Sequence, residues 1–366
     1  MRWRKVLKEM SPYTPGKSIE EVKAMYGLED IIKLASNENP YGASDVVNEQ
    51  LSPQAVDLEI YPDGYAGKLR TTIASELEIN ENQLLFGSGS DEIIVIIARA
   101  LLGEGTNTIV ATPTFPQYKH HALIEGAEVK EIPLIDGEHD LDGFLEAIDH
   151  NTSVIWLCSP NNPTGNLIKQ DQLTAFLEQV PERILVVLDE AYYEYVVDEH
   201  YIDTVELIHK YKNVLILRTF SKAYGLAALR VGYAIGDQSL ITPLNTTRSP
   251  FNVTSLSLAL AEKAFADKAF IEKCRTLNRA QMERFYAYAE QHGLHIFDSQ
   301  ANFVLLQVPV SATVATEELL KQGYIVRSGD ALGTPGYIRV TVGTAEQNDG
   351  FFKAFDTLLE GAGSLK

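Results

Sequence analysis

The chain has 366 residues, 45% of them hydrophobic and 22% charged, which is enough to bury a large core and a second smaller one and excludes a largely disordered chain. Thirty-one basic side chains against fifty acidic ones leave a formal charge of −19, a field that repels phosphate backbones and acidic lipid surfaces, so neither nucleic acid nor a membrane is expected as a partner. Two cysteines, Cys158 and Cys274, are too few for a disulfide framework and lack zinc-site spacing, so no metal is expected and a cytoplasmic location is. No apolar run approaches the roughly 18 residues needed to span a bilayer. Residues 1–10, MRWRKVLKEM, set basic residues before no apolar segment, so no targeting signal is expected either.

In chain order, the turn residues Ser11, Pro12, Pro15 and Gly16 mark an N-terminal arm over residues 1–40, expected to pack on a smaller C-terminal domain. Short apolar runs then alternate with longer stretches of helical period, the pattern of an α/β domain with a largely parallel sheet, over residues 41–270. The expected strands are 108–111, 154–158, 184–188, 214–217 and 231–235, rich in Val, Ile and Leu and bounded by Gly, Pro, Asn or Asp. From about Ile271 a helical stretch precedes strands at 302–308 and 337–342, which reads as a smaller α+β domain over 271–366. Neither repeats nor low-complexity segments occur.

Ligands of such sheets bind beyond the carboxyl ends of the strands, and the residues there are unusually polar. GSGSDE follows Phe86, TPTFPQY follows Ala111, SPNNPTG follows Cys158, DEAYYEY follows Leu188 and RTFSKAYG follows Leu217. In GSGSDE the amides of Ser90, Asp91 and Glu92 would open a helix and cradle an anion, although a Ser-Asp helix start with turn glycines needs no ligand. The third glycine of the dinucleotide fingerprint is missing, and no GK[ST] follows. His120 and His121 are adjacent and unsuited to a metal, and Cys158 reads as a packed small hydrophobe.

Lys222 follows a buried strand, where desolvation and a cation such as Arg230 would lower its pKa and free a nucleophilic amine, whereas a lone lysine is ordinarily a solvated group. Asp189 ends another apolar run 33 residues earlier, about one strand-helix-strand unit, so the two can project from neighbouring strand ends; it could equally begin a helix. A buried carboxylate that keeps a heterocyclic nitrogen protonated, an amine that forms an imine and a cradle for phosphate match the three handles of pyridoxal 5'-phosphate.

Together SPNNPTG, VVLDEAYYEY and TFSKAYGLAALRVGYAIG, in that order, resemble the aspartate aminotransferase fold family of type I pyridoxal-phosphate enzymes. The resemblance implies a mainly parallel seven-stranded sheet with a smaller α+β domain. It implies that Lys222 forms the imine and shuttles protons, Asp189 pairs with the ring nitrogen, and Asn162 and Tyr192 bond the ring hydroxyl. Phe115 would stack on the ring with Tyr118 beside it. Ser221, Arg230, Thr219 and the amides of Ser90 and Asp91 would hold the cofactor phosphate.

SPYTPGKS (11–18), LASNENPYG (34–42), YPDG (61–64) and YIRVTVGT (337–344) are similar, within that family, to the histidinol-phosphate aminotransferases. The implied reaction converts histidinol phosphate and 2-oxoglutarate to imidazole acetol phosphate and glutamate in histidine biosynthesis. Arg327 and Arg339 flank the loop SGDALGTPGYI, and two forked guanidiniums in so acidic a chain suit an anionic substrate. The resemblance puts Arg327, Arg339, Tyr13 and Asn37 at the substrate and Tyr61 at the cofactor phosphate of a second subunit, hence a homodimer with shared sites. Aromatic amino acid transamination and threonine-phosphate decarboxylation are the competing reactions.

Overall fold

The computed structural model describes residues 1, 3–12, 16–51, 57–198, 201 and 203–365. Twelve strands occur among them: β1 (Ile32–Lys33), β2 (Leu84–Gly87), β3 (Asn107–Thr112), β4 (Glu128–Pro133), β5 (Thr152–Cys158), β6 (Leu185–Asp189), β7 (Val214–Thr219), β8 (Gly232–Gly236), β9 (Phe303–Gln307), β10 (Tyr324–Ile325), β11 (Arg327–Ser328) and β12 (Tyr337–Thr341). Seven of them form one sheet in the order β2-β8-β7-β6-β5-β3-β4. β4, β3, β5, β6 and β7 pair in parallel, and β8 runs against both its neighbours.

The apolar runs of β5, β6 and β7 split residue by residue between two cores, because successive side chains leave opposite faces of a strand. Ile155, Leu157, Val186, Leu188, Val214 and Ile216 enter one core, whereas Val154, Trp156, Leu185, Val187, Leu215 and Leu217 enter the other. Burial on both sides explains why these strands read as continuous hydrophobic runs rather than as alternation. β4 lies at the sheet edge and carries Glu128, Lys130 and Glu131, so it offers no such run.

Asp189 is the last residue of β6, in register with Cys158 and Leu217, and does not cap an α-helix; a turn and the single 3-10 turn Tyr193–Tyr195 follow. The sheet thus holds its backbone at the rim of the strands.

A second sheet, β11-β12-β9, is antiparallel throughout. Its apolar face, including Val304, Leu306, Ile338 and Val340, packs with Phe285, Phe351 and Phe355 from the helices Lys268–His292 and Ala345–Leu365. Helix Ile19–Tyr26 opens with a capping box between Ser18 and Glu21 and buries Val22 against Ala35, Leu320 and Ile325. Ahead of it, Arg4 reaches the other way, donating to the Ile124 carbonyl and pairing with Glu125 at the end of helix Gln117–Glu125. No helix among the described residues is long and apolar enough to cross a membrane.

Candidate active site

The rims of β5, β6 and β7, the start of helix Gly89–Leu101 and the β11–β12 pair enclose a cavity of about 290 Å³. Thirteen residues singled out in the sequence line it: Asn37, Ser90, Asp91, Phe115, Asn162, Asp189, Tyr192, Thr219, Ser221, Lys222, Arg230, Arg327 and Arg339. Tyr61 does not; it is 78% exposed and stacks on Phe251 at 4.8 Å. Tyr13 lies outside the described residues.

Lys222 is carried by the turn after β7 and donates from Nζ to the Ser36 carbonyl at 3.1 Å, with the Tyr192 ring centre 5.6 Å away. Burial pulls its ammonium down to about 8, helped by the positive charges of Arg339 and then Arg230. Arg339, which is itself buried, outweighs Arg230, the cation expected from sequence. An amine with that value has a sizeable free-base fraction near neutral pH, which a nucleophile and proton carrier needs.

Asp189 shares its face of the sheet with Trp156 and Cys158. Burial pushes its carboxyl up to about 6, against the opposing hydrogen bonds from Tyr118 and the Ala191 amide. Tyr118, fully buried and stacked on Trp156 at 4.8 Å, donates to Oδ2 at 2.5 Å; Ala191 donates to Oδ1 at 3.2 Å. A sequence reading that puts Tyr118 beside Phe115 misses this bond. Tyr118 also meets the Phe115 ring edge-on at 5.6 Å, whereas its bond to Asp189, 71 residues away, has no mark in the local sequence.

The anion cradle is assembled from three chain segments. Ser88, which precedes helix Gly89–Leu101, makes no side-chain bond to the first-turn amides, so the Ser-Asp cap that would need no ligand is not formed. Arg230, in the left-handed region at φ 52°, donates to Ser221 Oγ at 2.9 Å and lies 3.4 Å from Asp91 Oδ2. A Cβ on Gly89 would run into the Arg230 guanidinium, and one on Gly232 would stand 2.5 Å from the Ser90 nitrogen. Thr219 lines the cavity, but its hydroxyl donates to the Val231 carbonyl (3.4 Å) and accepts the Ser221 amide (3.1 Å), so it shapes the turn.

Arg327 and Arg339 are direct cross-strand partners in β11–β12, which puts both guanidinium side chains on one face, toward the cavity. Arg339 donates to Asn162 Oδ1 at 2.6 Å and to the Ala35 carbonyl at 2.7 Å. Tyr192 Oη accepts from Asn37 Nδ2 at 3.0 Å and from Asn162 Nδ2 at 3.4 Å, and burial holds its phenol well above the usual range. Asn37 is buried, at φ 58°, and its backbone amide donates to Thr341 Oγ at 3.0 Å. Thr341 belongs to the segment YIRVTVGT, yet as one more β-branched residue in a strand it carries no local mark of its contact with Asn37.

An amine, a buried carboxylate, an aromatic cover and an anion cradle held open by glycines therefore surround one space. The donor set fits pyridoxal 5'-phosphate, whose aldehyde, ring nitrogen, ring hydroxyl and phosphate each have a counterpart of the right chemistry. Among the described residues no group of His, Cys, Asp and Glu is arranged to hold a metal ion.

The chain belongs to the class I and II aminotransferases, whose family profile matches residues 29–355. It is 56% identical over 350 residues to the histidinol-phosphate aminotransferase of Bacillus subtilis (strain 168), covering 95% of this chain and 97% of that protein. It is 52% identical over 359 residues to the enzyme of the same name from Geobacillus thermodenitrificans, covering 98% of both. Among solved structures, the fold matches histidinol-phosphate aminotransferase from Sinorhizobium meliloti in complex with pyridoxal-5'-phosphate at a TM-score of 0.89 and 24% identity, over 98% of each chain.

Proposed function

We propose that this aminotransferase uses pyridoxal 5'-phosphate to transfer the amino group of histidinol phosphate to 2-oxoglutarate, giving imidazole acetol phosphate and glutamate in histidine biosynthesis. The observation that carries the substrate is the Arg327–Arg339 cross-strand pair, two forked cations facing the cavity that also holds Lys222. The names of the relatives point the same way.

When bound, the cofactor supplies an aldehyde carbon for the amine and a ring that takes up the electron pair released at the substrate Cα. Ser221, Arg230 and the amides of Ser90 and Asp91 hold its phosphate, and Phe115 covers the ring. Asp189 holds a proton at the ring nitrogen, where a carboxylate with no cationic protein partner is best satisfied. Asn162 and Tyr192 bond the ring hydroxyl. Lys222 would hold the cofactor at its aldehyde and, with an amine poised near neutral pH, would carry the proton between the substrate Cα and the aldehyde carbon. Arg327 and Arg339, with Tyr13 and Asn37, receive the substrate's anionic end.

The working unit is a homodimer in the cytoplasm. Tyr61 and Phe251 are exposed beside Leu58, Ile60 and Tyr65, an apolar surface that a second subunit covers while Tyr61 completes the neighbour's phosphate cradle. Residues 41–270 and 271–366 act as two domains, with residues 1–40 as an arm.

The test is the half-reaction spectrum of the holoenzyme with histidinol phosphate, phenylalanine and threonine phosphate. Rapid conversion to the amine form of the cofactor by histidinol phosphate alone is expected. Preference for phenylalanine would make the protein an aromatic aminotransferase. Carbon dioxide from threonine phosphate without use of 2-oxoglutarate would make it a decarboxylase.

A further inference from the structure

Tyr192 Oη receives two hydrogen bonds, from Asn37 and from Asn162. Which end of each amide faces the phenol is fixed from outside. Arg339 has no acceptor and points at Asn162 Oδ1, so Asn162 can present only its NH₂ to Tyr192. Thr341 Oγ accepts the Asn37 backbone amide at 3.0 Å and donates its own proton to Asn37 Oδ1 at 3.1 Å, and with Oδ1 held there the Asn37 NH₂ faces the phenol. With both donors fixed on its oxygen, the phenol proton has one direction left, into the cavity.

The arrangement is built across the two sheets. Arg339 and Thr341 are two residues apart on β12 and leave the same face of the small sheet, while Tyr192 follows β6 of the large one. Asn37 spans the gap in a left-handed conformation that few residues other than glycine and asparagine adopt. Asn302 steadies it by donating from Nδ2 to the Asn37 carbonyl at 3.1 Å. All of these groups are buried, and Thr341 and Asn302 stand outside the lining of the cavity.

We infer that Thr341, acting through Asn37, is a positioning residue that fixes Tyr192 as a hydrogen-bond donor to the ring hydroxyl of the cofactor; this rests on the cofactor reading above. Without the threonine hydroxyl the Asn37 amide can turn over, and the phenol then donates to Asn37 Oδ1 instead of to the ligand. Asn37 thereby orients Tyr192 in addition to lining the cavity.

The probes are pyridoxine 5'-phosphate, which has the ring hydroxyl but no aldehyde, and its 3-deoxy counterpart, both titrated by calorimetry into the cofactor-free full-length chain. The native protein is expected to prefer the hydroxylated probe. Thr341→Val, which keeps the shape, should lower that preference about fivefold, the equivalent of one net hydrogen bond. Thr341→Ser, which keeps the hydroxyl, should retain it. Asn37→Gly, which suits the left-handed backbone and removes the amide oxygen that would compete for the phenol proton, should lower it less than Thr341→Val does. An unchanged preference in Thr341→Val, an equal loss in Thr341→Ser, or a native protein indifferent to the hydroxyl overturns the inference alone. A native protein that binds neither probe overturns the cofactor reading and this inference with it.

Discussion

Asp189 and Glu190 are neighbours at the end of β6, both buried, and leave opposite faces of the large sheet. On one face Glu190 meets Arg218 Nε at 2.9 Å, with both side chains 2% exposed, and also accepts from Tyr201 and Thr204. The Arg218 guanidinium lies over the Tyr193 ring at 3.7 Å. On the other face Asp189 is bonded by Tyr118 and the Ala191 amide and opens onto the cavity. A buried charge without a cation is costly, so one carboxylate is completed by the protein and the other is left to be completed by a ligand. The same chemical group is structure on one side of the strand and function on the other.

The largest effect that sharpens this contrast lies at the amine facing Asp189. Lys222→Ala should remove turnover, with about 10²–10⁴-fold lost from proton transfer alone, while circular dichroism and thermal unfolding remain close to native. Borohydride reduction of the native holoenzyme should fix the cofactor on the peptide carrying Lys222, and a label found elsewhere would refute its role.

Crossing the two carboxylates comes next. Asp189→Asn should leave the protein folded and lower kcat by roughly a hundredfold or more, because a neutral amide cannot hold the ring-nitrogen proton. Glu190→Gln should do the reverse, costing about 3–5 kcal/mol of stability by leaving Arg218 buried without its counter-charge, with kcat per folded molecule much less affected. Denaturant unfolding and kcat measured on both variants check this. Equal patterns for the two would erase the distinction between the faces.

Much of this contrast was legible in the sequence, and the remainder has identifiable causes. Val, Ile and Leu runs ending in DEAYYEY and RTFSKAYG marked β6 and β7 and their polar rims, and thirteen proposed site residues do meet at one cavity. Alternation along the strand also implies that residues 189 and 190 diverge. What the sequence could not show is pairing between distant segments: Tyr118 on Asp189 is 71 residues away, and Thr341 on Asn37 is 304. β4 escaped notice because an edge strand with charged residues has no apolar run, and β11 because two residues carry no period.

Arg327→Ala probes the mouth of the cavity rather than its floor. Loss of one charge-assisted contact should lower kcat/KM for histidinol phosphate by about 10–100-fold and for phenylalanine by only a few-fold. Equal losses for the two substrates would remove the reason for placing Arg327 at the substrate phosphate.

The two faces also differ in how they answer to pH. Burial pushes Glu194 up to about 7, with Arg218 opposing the rise and Glu190 adding to it, and its Oε2 has no hydrogen-bond partner. Asp189 is pushed up to about 6 in the cofactor-free protein. Both folded-state values lie above the ordinary 4.5 and 3.8, so the folded chain binds protons more tightly than the unfolded one. Their stabilising contribution is complete below about pH 4 and is lost as pH climbs through 6 and 7. Urea unfolding of the cofactor-free protein should therefore show stability falling across this interval, by on the order of 3 kcal/mol from Glu194 alone. Glu194→Gln should flatten the upper part of the curve, around pH 7, and Asp189→Asn the lower part. Cofactor binding should flatten the lower part as well, since a protonated ring nitrogen gives Asp189 the partner that Glu190 already has in Arg218. A curve unmoved by Glu194→Gln would mean that Arg218 already satisfies both glutamates on that face.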